Sequence, residues 1–89
     1  MQQYHIIIKG RVQGVNFRNF VRRTARELGL YGWVRNSGDD VEIVAQGREQ
    51  QLVKLLQLVR SGPPLARVDD IDYEAREPSK KFDSFFIRA

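Results

Sequence analysis

Between Gly10 and Arg18 the chain reads Gly-Arg-Val-Gln-Gly-Val-Asn-Phe-Arg, and this stretch concentrates its chemistry. A β-branched run ends at Lys9, two glycines punctuate a tight loop, and helix-spaced apolar positions begin at Phe17. Main-chain N–H groups in such a loop face its concavity, and the start of the following helix adds positive partial charge. Arg18, in the first helical turn, brings a fork of donors suited to two phosphate oxygens. The pattern is that of a phosphate cradle with no metal attached to it.

A phosphoryl group held there can be hydrolysed only with a nucleophile, charge stabilisation and a tolerable leaving group. Arg18 and the loop amides provide the charge stabilisation. The single histidine, His5, lies upstream in the first strand, and no spacing pairs it with a carboxylate. An alkyl ester needs an acid for its alkoxide, and the chain offers no obvious one. An acyl phosphate departs as a carboxylate, so it asks for positioning and electrostatics more than for proton transfer. A carboxamide that orients water then suffices. Asn36, at the end of the second predicted strand, is the natural one.

These residues need a scaffold. Tyr4–Lys9 reads as a central strand, rich in β-branched residues. Phe17, Phe20, Val21 and Leu28 recur at helical spacing, with Asn16 expected as N-cap and Gly29 as the C-terminal stop. Tyr31–Asn36 and Val41–Gln46 read as two strands joined by Ser37-Gly38-Asp39-Asp40, a hairpin ending at Gly47. Leu52, Leu55, Leu56 and Val59 mark a second helix, stopped by Ser61-Gly62-Pro63-Pro64. Val68–Arg76 is a fourth strand, 77–81 a polar loop, and Phe82–Arg88 a short terminal strand. This order predicts an α+β class, ferredoxin-like sandwich (βαββαβ): an antiparallel sheet with two helices on one face. No repeat or linker interrupts it, so residues 1–89 are expected to form one domain.

Composition narrows the partners. The hydrophobic share of 42% is that of a globular domain rather than a disordered tail. With no cysteine, disulfides and thiolate nucleophiles are excluded, and so are phosphatases that use them. The formal charge of +4 suits an anionic ligand but does not choose between a small phosphate and a nucleic acid. No apolar run reaches membrane-spanning length, and Met1-Gln2-Gln3-Tyr4-His5 does not open a secretory signal, so a cytoplasmic location and no membrane partner are expected.

The run from Gly10 to Arg18 resembles the first signature of the acylphosphatase family, and Gly32-Trp33-Val34-Arg35-Asn36, with Val41 and Gly47 downstream, resembles the second. The resemblance implies a ferredoxin-like fold and metal-free hydrolysis of small acyl phosphates such as acetyl phosphate, 1,3-bisphosphoglycerate or carbamoyl phosphate. By that likeness the amides of Gln13, Gly14, Val15, Asn16, Phe17 and Arg18 and the Arg18 side chain bind the phosphate, and Asn36 orients the attacking water. No cofactor and no metal are implied, and a monomer is expected. The turn after Asn36 departs from the family pattern. It is one residue shorter, with its glycine moved, so altered turn geometry around a surviving site is expected.

Other features carry blander readings. Asp70 and Asp72 share a strand face, which reads as a solvated edge. Arg22 and Arg26 read as a solvated helix face, and Trp33, Phe82, Phe85 and Phe86 as packing residues. Ser37 is as well suited to the turn as to the site. Two competing functions remain: a basic ferredoxin-like nucleic-acid module, for which the aromatic pattern on adjacent central strands is missing, and a non-catalytic phosphate-binding domain.

Overall fold

Burial alternates along the first strand: Tyr4, Ile6 and Ile8 are buried, while His5 and Ile7 between them are only partly covered. A strand with this period turns one face to a core and leaves the other open. The computed structural model describes residues 1–89. It contains β1 (Gln2–Arg11), α1 (Phe17–Glu27), β2 (Tyr31–Ser37), β3 (Asp40–Gly47), α2 (Glu49–Ser61), β4 (Arg67–Arg76) and β5 (Phe85–Ile87). The sheet order is β4-β1-β3-β2-β5, so β1 is central as expected. The four longer strands pair antiparallel and form the predicted βαββαβ sandwich. β5 adds to the β2 edge in parallel, making the whole sheet mixed.

Both helices lie on the face that carries Tyr4, Ile6, Ile8, Val34, Val41, Ile43 and Ala45. From α1 come Phe17, Val21 and Ala25, and from α2 Leu52, Leu55 and Val59, all at most 1% exposed. Burying one of the larger of these side chains is worth about 1.5–3 kcal/mol against leaving it in water. That is why the helices sit where the i, i+3, i+4, i+7 stripes direct them.

Helix α1 ends as the sequence predicts. Leu30 N–H donates to the Ala25 carbonyl and Gly29 N–H to that of Arg26, the paired bonds of a Schellman stop. Its start differs from expectation. Asn16 occupies the N-cap position, but its side chain makes no capping hydrogen bond and its backbone is left-handed, with φ 65°. In that conformation the side chain is turned to another partner, Asn19.

The β2–β3 connection is a two-residue loop, Gly38-Asp39, closed by the pair Ser37↔Asp40, with Asn36↔Val41 next in the ladder. Gly38 has φ 60° and Asp39 does not have positive φ, the signature of a type II′ hairpin turn. Such a turn matches strand twist, so the short connection keeps the ladder in register up to Ser37.

The open face holds a contact that sequence spacing did not suggest. His5 Nε2 lies 2.6 Å from Glu42 Oε2, and Arg35 Nε lies 2.6 Å from Glu42 Oε1. A histidine–carboxylate pair therefore exists, built across strands 37 residues apart in sequence. Arg26 is exposed, in line with its reading as a solvated residue, and its Nε also donates to the Phe85 carbonyl at 2.9 Å and ties α1 to β5.

Candidate active site

The β1–α1 connection builds the site from its backbone. Gly14 and Asn16 both take positive φ, 73° and 65°, on either side of Val15. Alternation of this kind curls successive peptide N–H groups toward a common centre. From Gln13 to Arg18, none of these N–H groups donates to a protein acceptor. The last of them are also first-turn donors of α1, which no intrahelical carbonyl can satisfy. An anion at the helix start meets both the curled amides and the positive end of the helix dipole.

A cavity of about 260 Å³ opens at this curl. Val12, Gln13, Gly14, Asn16, Phe17, Arg18, Asn19, Asn36 and Ile87 line it. The structure thus brings together the loop, Arg18 and Asn36, which come from β1–α1 and from the far end of β2. Of the residues expected to contact an anion, Val15 does not line the cavity and instead packs against the core. Its main-chain amide remains part of the curl. Ser37 does not line the cavity.

Arg18 belongs to none of the four ion pairs of the chain, so no carboxylate competes for its guanidinium. Phe17, 1% exposed, roots the loop in the core and stacks edge-on with Phe20 at 6.0 Å. Asn36 follows Val34 on the helix-side face of β2, two residues further along the same pleat. That parity directs its carboxamide to the end of the sheet where the curl lies.

Three lining residues had not been singled out. Asn19 Nδ2 donates to Asn16 Oδ1 at 2.6 Å, and Arg22 donates to Asn19 Oδ1 at 2.9 Å. This chain of side chains braces the left-handed corner. The i, i+3 spacing of Asn16, Asn19 and Arg22 was the available signal. Val12, 1% exposed, reads in sequence as one more core residue. Ile87 had no signal, because only the parallel pairing Val34↔Ile87 brings the chain's end to the cavity.

The open face opposite does not resemble a nucleic-acid platform. Its β4 edge presents Asp70, Asp72 and Glu74, opposite Lys9, Ile7 and His5. Trp33 is 8% exposed, with the guanidinium groups of Arg35 and Arg88 at 5.4 and 4.8 Å from its ring.

A curl of main-chain N–H groups without protein acceptors at the strand-to-helix turn of a ferredoxin-like α+β domain, with a carboxamide lining the same cavity, defines a class of small domains whose loop is suited to a phosphoryl group. Comparison with known proteins narrows the class. The sequence model of the family described as Acylphosphatase matches residues 4–87. An acylphosphatase of Caldivirga maquilingensis is 47% identical over 85 residues, covering 93% of this chain and 90% of its own. The crystal structure of acylphosphatase from Bacillus subtilis superposes with a TM-score of 0.97 at 41% identity, covering all of both chains. A carbamoyltransferase of Cupriavidus necator is 54% identical over 83 residues, covering 92% of this chain but only 10% of its own length. The chain belongs to the acylphosphatase family. It is a hydrolase of acyl phosphates, cleaving the carboxyl–phosphate bond.

Proposed function

We propose that Arg18 and the main-chain amides of Gln13 through Arg18 bind the phosphoryl group, and that Asn36 orients the water that attacks it. The observation carrying this reading is the set of curled N–H groups without protein acceptors, beside an unpaired Arg18 in the cavity that Asn36 also lines. The water oxygen forms a bond to phosphorus on the side opposite the leaving group. The phosphorus–oxygen bond to the acyl group breaks, and its electron pair leaves on the carboxylate. The water's proton passes to a phosphate oxygen, so no protein side chain has to titrate. Charge that builds on the equatorial oxygens is met by donors already in place.

The cavity volume of about 260 Å³ favours small substrates. Acetyl phosphate, carbamoyl phosphate and 1,3-bisphosphoglycerate are the proposed acyl phosphates. The chain is proposed to act as a cytoplasmic monomer; no helix is long and apolar enough to cross a membrane. Benzoyl phosphate hydrolysis measured in EDTA tests the mechanism. Turnover with competitive inhibition by inorganic phosphate is expected. Turnover that EDTA abolishes, or that phosphate leaves unaffected, overturns it.

A further inference from the structure

We infer that the Gln13 side chain is a positioning residue, one that fixes the water-orienting Asn36 relative to the phosphate curl. The inference rests on the proposed roles of Asn36 and of the curl. The observation is a bridge between two loops. Gln13 Nε2 donates to the Gly38 carbonyl at 2.7 Å and to the Asp40 carbonyl at 2.9 Å. Both protons of one amide are thus spent on the β2–β3 turn.

The turn and the curl have no other polar tie. None of the main-chain hydrogen bonds outside the regular elements joins residues 10–18 to residues 36–40, and no ion pair does. Asn36 lies two residues before Gly38 and pairs with Val41, next to Asp40. A shift of the turn is therefore a shift of Asn36. The short II′ geometry presents the Gly38 and Asp40 carbonyls to a single donor group. The turn length and Gln13 are parts of one device. With Gln13 holding both carbonyls, the carboxamide of Asn36 keeps its place relative to a phosphoryl group whose position is set by a different segment. Misplacing a catalytic group by about 1 Å can cost up to about a hundredfold in rate without altering the binding of the ground state.

The test compares Gln13→Glu and Gln13→Met with the unaltered chain, using benzoyl phosphate turnover, inhibition by inorganic phosphate, and thermal melts. Both replacements keep the side-chain length and remove the two donors. The inference expects kcat to fall by about tenfold or more while the phosphate inhibition constant moves by less than about threefold. In Gln13→Glu the introduced carboxyl regains one donor when protonated. Its kcat relative to the unaltered chain therefore rises as pH falls below about 5, and that of Gln13→Met does not. A third variant inserts one glycine after Gly38, keeping Gln13 but moving the accepting carbonyls. It should lower kcat alone, and adding Gln13→Met to it should cost little more.

Amide hydrogen exchange supplies a readout independent of turnover. Exchange at residues 37–40 should quicken in Gln13→Met. Equal losses of kcat and phosphate binding, additive effects of the insertion and Gln13→Met, or unchanged exchange at the turn would overturn the inference. An unaltered chain that fails to turn over benzoyl phosphate instead refutes the hydrolytic reading, and the exchange measurement still decides the bridge.

Discussion

His5 on β1 and Glu42 on β3 are diagonal neighbours across one ladder, and their side chains meet at 2.6 Å on the face of the sheet away from the helices. Arg35 on β2 completes the contact from the other side, so one carboxylate joins three adjacent strands. Burial alone would push the Glu42 carboxyl up. The hydrogen bonds and charges of His5 and Arg35 outweigh it and hold its pKa below the ordinary glutamate value. A carboxyl depressed in the folded state stabilises the fold above its unfolded pKa, about 4.3, and that contribution is lost as pH falls toward the folded value. Glu42→Gln is expected to cost about 2 kcal/mol at neutral pH. The difference from the unaltered chain should shrink below about pH 4.3, as the Glu42 carboxyl itself becomes neutral. Thermal melts of both proteins across pH 7 to 3 check this; a difference that stays constant refutes it.

Arg18 and Asn36 are expected to separate binding from chemistry. Arg18→Ala should lower turnover about a thousandfold and weaken phosphate inhibition with it, because the same donors meet ground state and transition state. Asn36→Ala should lower kcat about a hundredfold and leave phosphate inhibition nearly unchanged. Steady-state kinetics with benzoyl phosphate and inorganic phosphate distinguish the two. Loss of phosphate inhibition in Asn36→Ala would assign that side chain to binding.

Asn19 should act through the corner it braces. Its amide to the Asn16 side chain at 2.6 Å holds a non-glycine residue at φ 65°, a conformation that costs about 1 kcal/mol or more unaided. Asn19→Ala is expected to raise the phosphate inhibition constant several-fold, and turnover at low substrate should fall in step. Isothermal titration with phosphate reads the effect. Unchanged affinity would mean that the loop holds its own shape.

Two glycines should respond differently to the same substitution. A Cβ at Gly14 meets nothing within 4 Å, so Gly14→Ala bears only the strain of φ 73°, about 1–2 kcal/mol. At Gly32 a Cβ would collide with the Val44 carbonyl across the β2–β3 ladder. Gly32→Ala should therefore cost about 3 kcal/mol or more, forcing the two strands apart. Denaturant melts rank the two, and phosphate titration should show the larger binding defect in Gly14→Ala.

Local pattern carried much of the fold. The stripes from Phe17 to Leu28 and from Leu52 to Val59, with stops at Gly29 and Gly62, define both helices because a helix must bury one face and end its hydrogen bonds somewhere. Asn16 was harder to read, since an asparagine before a helix usually caps it. Here the chain needs a left-handed corner, and the side chain braces that corner through Asn19. The terminal strand was legible as strand but not in its pairing, which depends on Gly32 N–H donating to Ser84 and Arg88 N–H to Val34.

By itself, the amino-acid sequence determined the curl, the arginine at the helix start, the asparagine at the strand end and the order of elements around them. All of these follow from backbone preference and periodicity over a few neighbouring residues. Tertiary structure alone decided which distant groups meet: Ile87 at the cavity, Gln13 on the turn carbonyls, and Glu42 between His5 and Arg35. Those contacts depend on strand register and on packing between segments far apart in the chain, where no local rule fixes the partner.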